Sequence, residues 1–546
     1  MSDALLAGVS GLQAHQTMLD VAGNNLSNVN TYGFKSGRVT FSELLAQTLR
    51  EATQPTGVVG GTNPQQIGSG VRVASVDHNM AQGNLVYTGQ PLDMSVDGGG
   101  YFVLNDGQKD VYTRSGSFAV DASFYLVNPN TGYRVQRIGS EGVAEGFQEA
   151  ASDHIRVPYD IPLAAQISET ITFTGNLSAS TTTPTTSALR SDVQYTVDER
   201  AALRDSLLAD LDQAQGVAAG DTIRITGTTR DGAAVNTVFT LAADSTLGDL
   251  LDAIGAAFPG SQAGLSSGQV TLTDTEAGYS RTDLGLAYSG GGTLELPPYF
   301  KIAQAGGEET RNTNIDVFDA QGISHNLAVA FVRTDAPNTW DAVLLSVTGD
   351  VTLADRRVTG ITFGPNGAFT GLGGASPDEP SFRLEFASDP GNERVITLDL
   401  GTEGEFDGLT QVGGQSTAAA NGQDGYEAGY LSSVSVSREG VLVGMFTNGI
   451  RRTIAALKLA TFQNPAGLQS VGNGFFTASA NSGDPVPTRA LAGGAGSVQG
   501  GALEKSNVDM AAEFVGLIQA QNGYQANART IRVASDMLRE LATLIR

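Results

Sequence analysis

The chain has 546 residues, 69 of them glycine and none cysteine, and a net charge of −25 although only 16% of residues are charged. That length exceeds what a single core serves and indicates about three or four domains. Disulfides and thiolate metal sites are excluded, and the acidity disfavours nucleic acid and anionic membranes as partners.

In chain order, Leu5, Val9, Leu12, Gln16, Leu19, Gly23 and Leu26 step by four and three in alternation, the heptad seam of a coiled coil. Between Ala4 and Asn30 the only formal charge is Asp20, with His15 a conditional second. A surface helix normally carries more charge opposite its stripe, so more than one face of this one is expected to meet protein. The N-terminus has no basic n-region, continuous apolar h-region or small-residue cleavage site, so no Sec-type signal peptide is expected. No apolar run approaches the roughly eighteen residues of a membrane span, so no membrane insertion is expected. Four asparagines and Gly33 end the helix, since both residue types tolerate left-handed backbone. Residues 36–75 are expected to be extended, apart from a short helix around 41–49. Residues 54–70, dense in Gly, Pro, Thr, Asn and Gln, read as loop or linker.

From Val71 the period changes to two. Short runs at 71–76, 92–96, 101–104 and 124–127, broken by turn residues, predict an all-β domain. Further along, Trp340 sits in an alternating strand as core packing, and Asn366-Gly367 reads as a turn. Residues 190–300 predict a small α/β insert. It has strands at 222–226, 235–241 and 270–273, and a helix at 247–258 capped by Ser245 or Thr246. Asn448-Gly449 predicts a type I′ hairpin turn. At the C-terminus Phe514, Leu517, Ile518, Gln521, Tyr524, Ala528, Ile531, Leu538, Leu541 and Ile545 form one stripe on a helix over 508–545. That rod would be about 57 Å long. Gly516 and Gly523 each weaken it by roughly 1 kcal/mol relative to Ala, so it needs a mate, and the N-terminal helix offers one. The pair either closes a globular domain as a terminal hairpin or is ordered mainly by self-assembly. Residues 1–50 carry three acids and three bases, and 505–546 four acids and five bases, so the negative charge sits in the middle.

Signs of chemistry are missing. His15, His78, His154 and His325 are scattered without metal-ligand spacing, and GGAGSVQGG (493–501) lacks a Walker lysine. Asp231-Gly232 and Asp274 fall in no calcium-loop pattern, and there is no G-x-S-x-G elbow. No catalytic residue, cofactor or metal is expected, and the chain does not read as an enzyme.

NNLSNVNTYGFK (24–35) and LEKSNVDMAAEFVGLIQAQNGYQANARTIRVASDML (503–538) resemble the terminal signatures of the bacterial flagellar axial proteins, the rod, hook and hook-associated subunits. Asn24, Asn25, Asn28, Asn30, Gly33, Phe34, Ser506, Asn507, Asp509 and Asn527 carry the likeness. GNLVYTGQPLDMSVDGGGYFVL (83–104) resembles the family's first β domain, and FTGNLS and VFDAQGISHNLAVAFV resemble the outer domain of its hook members.

The resemblance implies a mainly β fold with paired, coiled-coil-like terminal helices and a multi-domain nested-insertion hairpin. Its parts are a helical inner core (1–35 with 503–546), a linker (36–75), a first β domain (76–165 with 425–502), a second, outer β domain (166–189 with 301–424) and the insert (190–300). It also implies a structural hook subunit that polymerises into a flexible tube transmitting motor torque to the filament. The polymerisation interface is expected at Leu5, Val9, Leu12, Leu19 and Leu26 against Phe514, Leu517, Ile518, Tyr524, Ile531 and Leu538. The implied partners are further copies of the chain, the distal rod, the hook cap, the hook–filament junction proteins and the export apparatus. The implied location is the flagellum outside the cell, reached by the flagellar type III route. A distal rod or hook-associated subunit is the alternative within the family, and a secreted acidic β-rich adhesin the alternative outside it.

Overall fold

The computed structural model describes residues 2–55, 57, 59–180, 183–373 and 380–544, so Ile545 lies outside the described residues. Among these the chain is mainly β, with three α-helices: α1 (Ser2–Ser27), α2 (Leu247–Ala257) and α3 (Met510–Leu544). It forms two compact units, one from residues 1–163 with 429–546 and the other from 164–428.

In the first unit α1 and α3 pack together, and α1 also packs on a long ribbon. The ribbon pairs β1 (Gly37–Glu43) with β4 (Val71–His78), and β2 (Ala46–Arg50) with β3 (Gln65–Gly68), all antiparallel. The helix expected around 41–49 does not form, and 54–70 is not simply linker. Val39 and Phe41 pair across the ribbon with Val76 and Val73, and β1 is half-buried along its length except at Arg38, Phe41 and Glu43, which are exposed. Its β-branched and aromatic residues fit that pleated, half-covered surface better than a one-turn helix would. Beyond the ribbon, both halves of the chain build one sheet: Phe102 lies opposite Leu459, Thr113 opposite Phe475, and elsewhere Val96 lies opposite Val498. The hairpin at Asn448-Gly449 forms, joining Val441–Phe446 to Arg451–Ala456. It is not type I′, because only Gly449 (φ +78°) of that pair takes positive φ.

In the second unit a five-stranded antiparallel sheet runs Thr310–Phe318, Ser324–Arg333, Thr339–Val347, Arg357–Phe363, Phe369–Leu372. Its side chains alternate between two cores. Val329, Phe331, Trp340 and Leu344 enter one with Phe173, Phe382 and Phe386. Ala330, Val332, Val343 and Leu345 enter another with Ile223, Leu250, Ile254 and Phe258 of the insert. This is the period-two rule applied to a sheet covered on both faces. α2 is capped by Thr246, whose hydroxyl accepts from the Asp249 N–H while the Asp249 carboxylate accepts from the Thr246 N–H.

Candidate assembly interface

The terminal helices run antiparallel and meet through small residues. Gly8 faces Ile531, Gly11 faces Asn527, and His15 lies over Gly523. A Cβ on Gly8, Gly11 or Gly523 would come within 2.9, 2.8 and 2.5 Å of the opposing side chain, so these positions set how closely the backbones approach. Ala14, Ala22 and Ala520 are buried in the same unit. Near the other end Asn25 donates to the Glu513 carboxylate (2.8 Å) and exchanges hydrogen bonds with both backbone groups of Gly37. A second face of α1 meets the ribbon. Ser10 Oγ accepts from the Val71 N–H, His15 lies beside Phe41, and Val21 packs where Gly37 has no side chain.

The two signature strings interlock below the helices. Lys35 Nζ donates to Glu504 Oε1 at 2.6 Å and to the Ala81 carbonyl at 2.8 Å, with both charged side chains 1% exposed. Arg114 lies 3.5 Å from the other carboxylate oxygen and donates to the carbonyls of Val96 and Gly98. Burial holds the Lys35 ammonium below its usual pKa, against the pull of Glu504. Gly33 (φ +72°) donates to the Glu504 carbonyl, and a Cβ there would strike the Ser115 amide nitrogen at 2.6 Å. Asn507 accepts from the Ser36 N–H and donates to the carbonyls of Asn79 and Ala81, while its own N–H donates to the Phe34 carbonyl. Asp509 caps α3 by accepting from the N–H groups of Ala511 and Ala512.

Of the other signature residues, Asn28 donates to Asn24 and accepts from Thr31, Ser506 accepts from the Val508 N–H, and Asn527 donates to the Gly523 carbonyl. Asn30 is exposed. The sequence reading missed Lys35, Arg114 and Glu504 as a group, together with the glycine seam. The Gly8-x-x-Gly11-x-x-Ala14 spacing was the available signal for the seam.

The heptad stripe lies elsewhere on α1. Its positions are one residue on from the seam positions, a turn of about 100° around the helix. Leu5, Leu12, Leu19 and Leu26 are half-buried, and Val9 is exposed. On α3, Leu517, Tyr524 and Ile531 are half-buried toward the seam, while Phe514 (52%), Ile518 (57%) and Leu538 (42%) stand exposed. Leu6, Val515, Val533 and Met537 add to this apolar surface. No helix among the described residues is long and apolar enough to cross a membrane.

Four family descriptions match the chain. They are "Flagella basal body rod protein" over 5–35, "Flagellar hook protein FlgE/F/G D1 domain" over 95–179, "Flagellar basal body protein FlaE D2 domain" over 293–426 and "Flagellar basal body rod FlgEFG protein C-terminal" over 499–544. The flagellar hook protein FlgE of Borreliella burgdorferi is 31% identical over 548 residues, and that of Treponema pallidum 32% identical over 550. Both alignments cover 100% of each chain. The crystal structure of Helicobacter pylori flagellar hook protein FlgE2 has a TM-score of 0.41 at 16% identity, covering 77% of this chain and 100% of that one. Full-length identity to two hook proteins, joined to matches at both helical ends and in both β regions, makes this chain a member of the flagellar hook protein family.

Proposed function

We propose that this structural subunit polymerises through its terminal helices into a flexible helical tube. The observation that carries the reading is the division of faces on the helices. Small residues serve the seam within the chain, while Val9, Phe514, Ile518 and Leu538 stand exposed and Leu5, Leu12, Leu19 and Leu26 are only half-covered. The proposed interface is Leu5, Val9, Leu12, Leu19 and Leu26 against Phe514, Leu517, Ile518, Tyr524, Ile531 and Leu538 of other copies. Each large side chain taken from water contributes about 1.5–3 kcal/mol, which offsets ordering and orientation costs once many copies join. A repeated contact between unlike patches does not close on itself and extends into a tube.

The nested hairpin follows: helices with 1–35 and 503–546 in the inner layer, the linker at 36–75, the β domains of 76–165 with 425–502 and 166–189 with 301–424 further out, and the insert at 190–300. Acidic outer domains with small mutual contacts would slide while the inner layer stays continuous, so the tube bends and still carries torque. Distal rod, cap and junction proteins would meet its ends, and export would follow the flagellar type III route. Leu12→Asp or Leu538→Asp is expected to abolish tubes in electron micrographs while circular dichroism of the soluble chain keeps its β signal. Normal tubes from both variants would sink the proposal.

A further inference from the structure

The second unit holds an exposed aromatic knob and, elsewhere on its surface, an open cleft. The knob is the loop 401–408, which leaves and re-enters the sheet at one point, where the Leu409 N–H donates to the Leu400 carbonyl. Thr402 and Asp407 clamp it from both sides by two hydrogen bonds (2.8 and 2.7 Å). At its tip Phe406 is 58% exposed, between the exposed carboxylates of Glu403, Glu405 and Asp407. A rigid loop that presents an aromatic ring to water among three acids has the form of a docking anchor.

The cleft has a volume of about 540 Å³, with Leu286, Pro298, Tyr299 and Leu353 among its walls and Arg281 exposed at its side. Arg356 is spent on Asp283 (3.0 Å) and on three carbonyls, and Arg357 on Asp341 and the Ser280 carbonyl. Asp355 also lines the cleft, its carboxylate accepting from the Arg357 N–H. Arg281 donates its Nε–H to the Tyr279 hydroxyl (2.9 Å) and, being exposed, presents its remaining guanidinium N–H groups to an incoming group, in a chain whose net charge is −25.

The chain's own loop does not reach this cleft. The cleft includes Arg357, the first residue of the strand Arg357–Phe363. The loop sits at that strand's other end, where the Gly404 N–H donates to the carbonyl of Phe369, the partner of Phe363. Six residues of extended chain separate the two by about 20 Å. We infer that Phe406 of one copy inserts into the Arg281-flanked cleft of the next, with Glu405 facing Arg281. The inference rests on the self-assembly proposed above. The contact is heterologous, joining unlike patches of identical chains, and so repeats along an open array.

Because the chain has no cysteine, an introduced pair reads the contact without background. Tubes of the Glu405→Cys, Arg281→Cys double variant are expected to give a ladder of dimers, trimers and higher species with a short bis-maleimide, and either single variant only monomers. Asp355→Cys replaces Arg281→Cys if the latter disturbs folding. Well-formed tubes that stay monomeric on crosslinking overturn the contact. Phe406→Ala tests it independently, since the ring lies at the surface of its own chain. The concentration needed for assembly is expected to rise about tenfold or more, and an unchanged value overturns the contact. Failure of the native chain to form tubes overturns the self-assembly reading instead.

Discussion

Asp319 shows why VFDAQGISHNLAVAFV could be recognised before its geometry was known. Its Oδ1 accepts from the N–H groups of Gln321 and Ile323, and its Oδ2 accepts from the Ser388 hydroxyl at 2.6 Å with His325 Nε2 3.5 Å away. Gly322 supplies the positive φ (+79°) of the turn. Burial pushes the carboxyl up, but these hydrogen bonds outweigh it and hold the pKa below its usual 3.8. A depressed carboxylate stabilises the fold above its unfolded pKa, and that contribution is lost as pH falls through the folded value. Asp319→Asn should therefore cost about 1–3 kcal/mol at pH 7, and its gap to the native chain should shrink in acid, as pH falls through the lowered folded-state value. Urea unfolding at neutral and acid pH measures this, and a gap that persists in acid would assign the loss to shape alone. Glu504 is the opposite case. It stood in plain view in LEKSNVD, yet its partners Lys35 and Arg114 lie hundreds of residues away, where no local period reaches. Glu504→Ala leaves two buried cations without their counter-ion and is expected to cost about 3–5 kcal/mol. The Lys35→Met, Glu504→Leu pair should recover only part of that, because it removes one cation with the anion and leaves Arg114 without its counter-ion. Thermal melts of the single and double variants compare the two.

At the scale of elements, the strong local signals were legible and the faces were not. α2 starts at the predicted residue and takes one of its two predicted caps, because Thr246 and Asp249 form a complete capping box three residues apart. α1 and α3 were found from their apolar stripes, but each carries two patterns one residue out of phase. The louder pattern of large residues hid the quieter one of glycine and alanine, through which the helices actually meet. The 41–49 error has a related cause: a stretch too short to show a clear period was decided by α1 lying against it. The two patterns predict separable defects. Gly523→Leu drives a side chain into His15 and should loosen α3 in the isolated chain, seen as faster amide exchange from 513 to 534. Leu12→Asp lies on the half-covered heptad face, a turn of about 100° away from the glycine seam, and should change that exchange far less than Gly523→Leu while stopping assembly. Equal exchange in both variants would mean that the glycine seam does not hold the pair.

Across the whole molecule, the near-neutral ends and the acidic middle were readable from charge alone, whereas the sharing of one sheet by two cores was not. That sharing depends on alternate residues of 324–333 and 339–347 facing different partners, which a nearly continuous apolar run conceals. The charge division carries a prediction of its own. Each added copy brings a net charge of −25 close to its neighbours, while the surface proposed to join them is apolar. Repulsion between acidic bodies is screened with a Debye length of about 30 Å at 0.01 M salt and about 8 Å at 0.15 M. Burial of apolar surface is not weakened by salt in that range. Purified chain should therefore assemble at lower protein concentration in 0.3 M sodium chloride than in 0.01 M, as followed by light scattering and electron microscopy. The Glu405–Arg281 contact works in the other direction, since screening weakens an exposed ion pair, but one such pair contributes only about 0.2–1 kcal/mol. The repulsion is a property of the whole body and should dominate. Tubes that dissolve as salt rises would show that charge pairs, rather than the apolar helix faces, hold the polymer together.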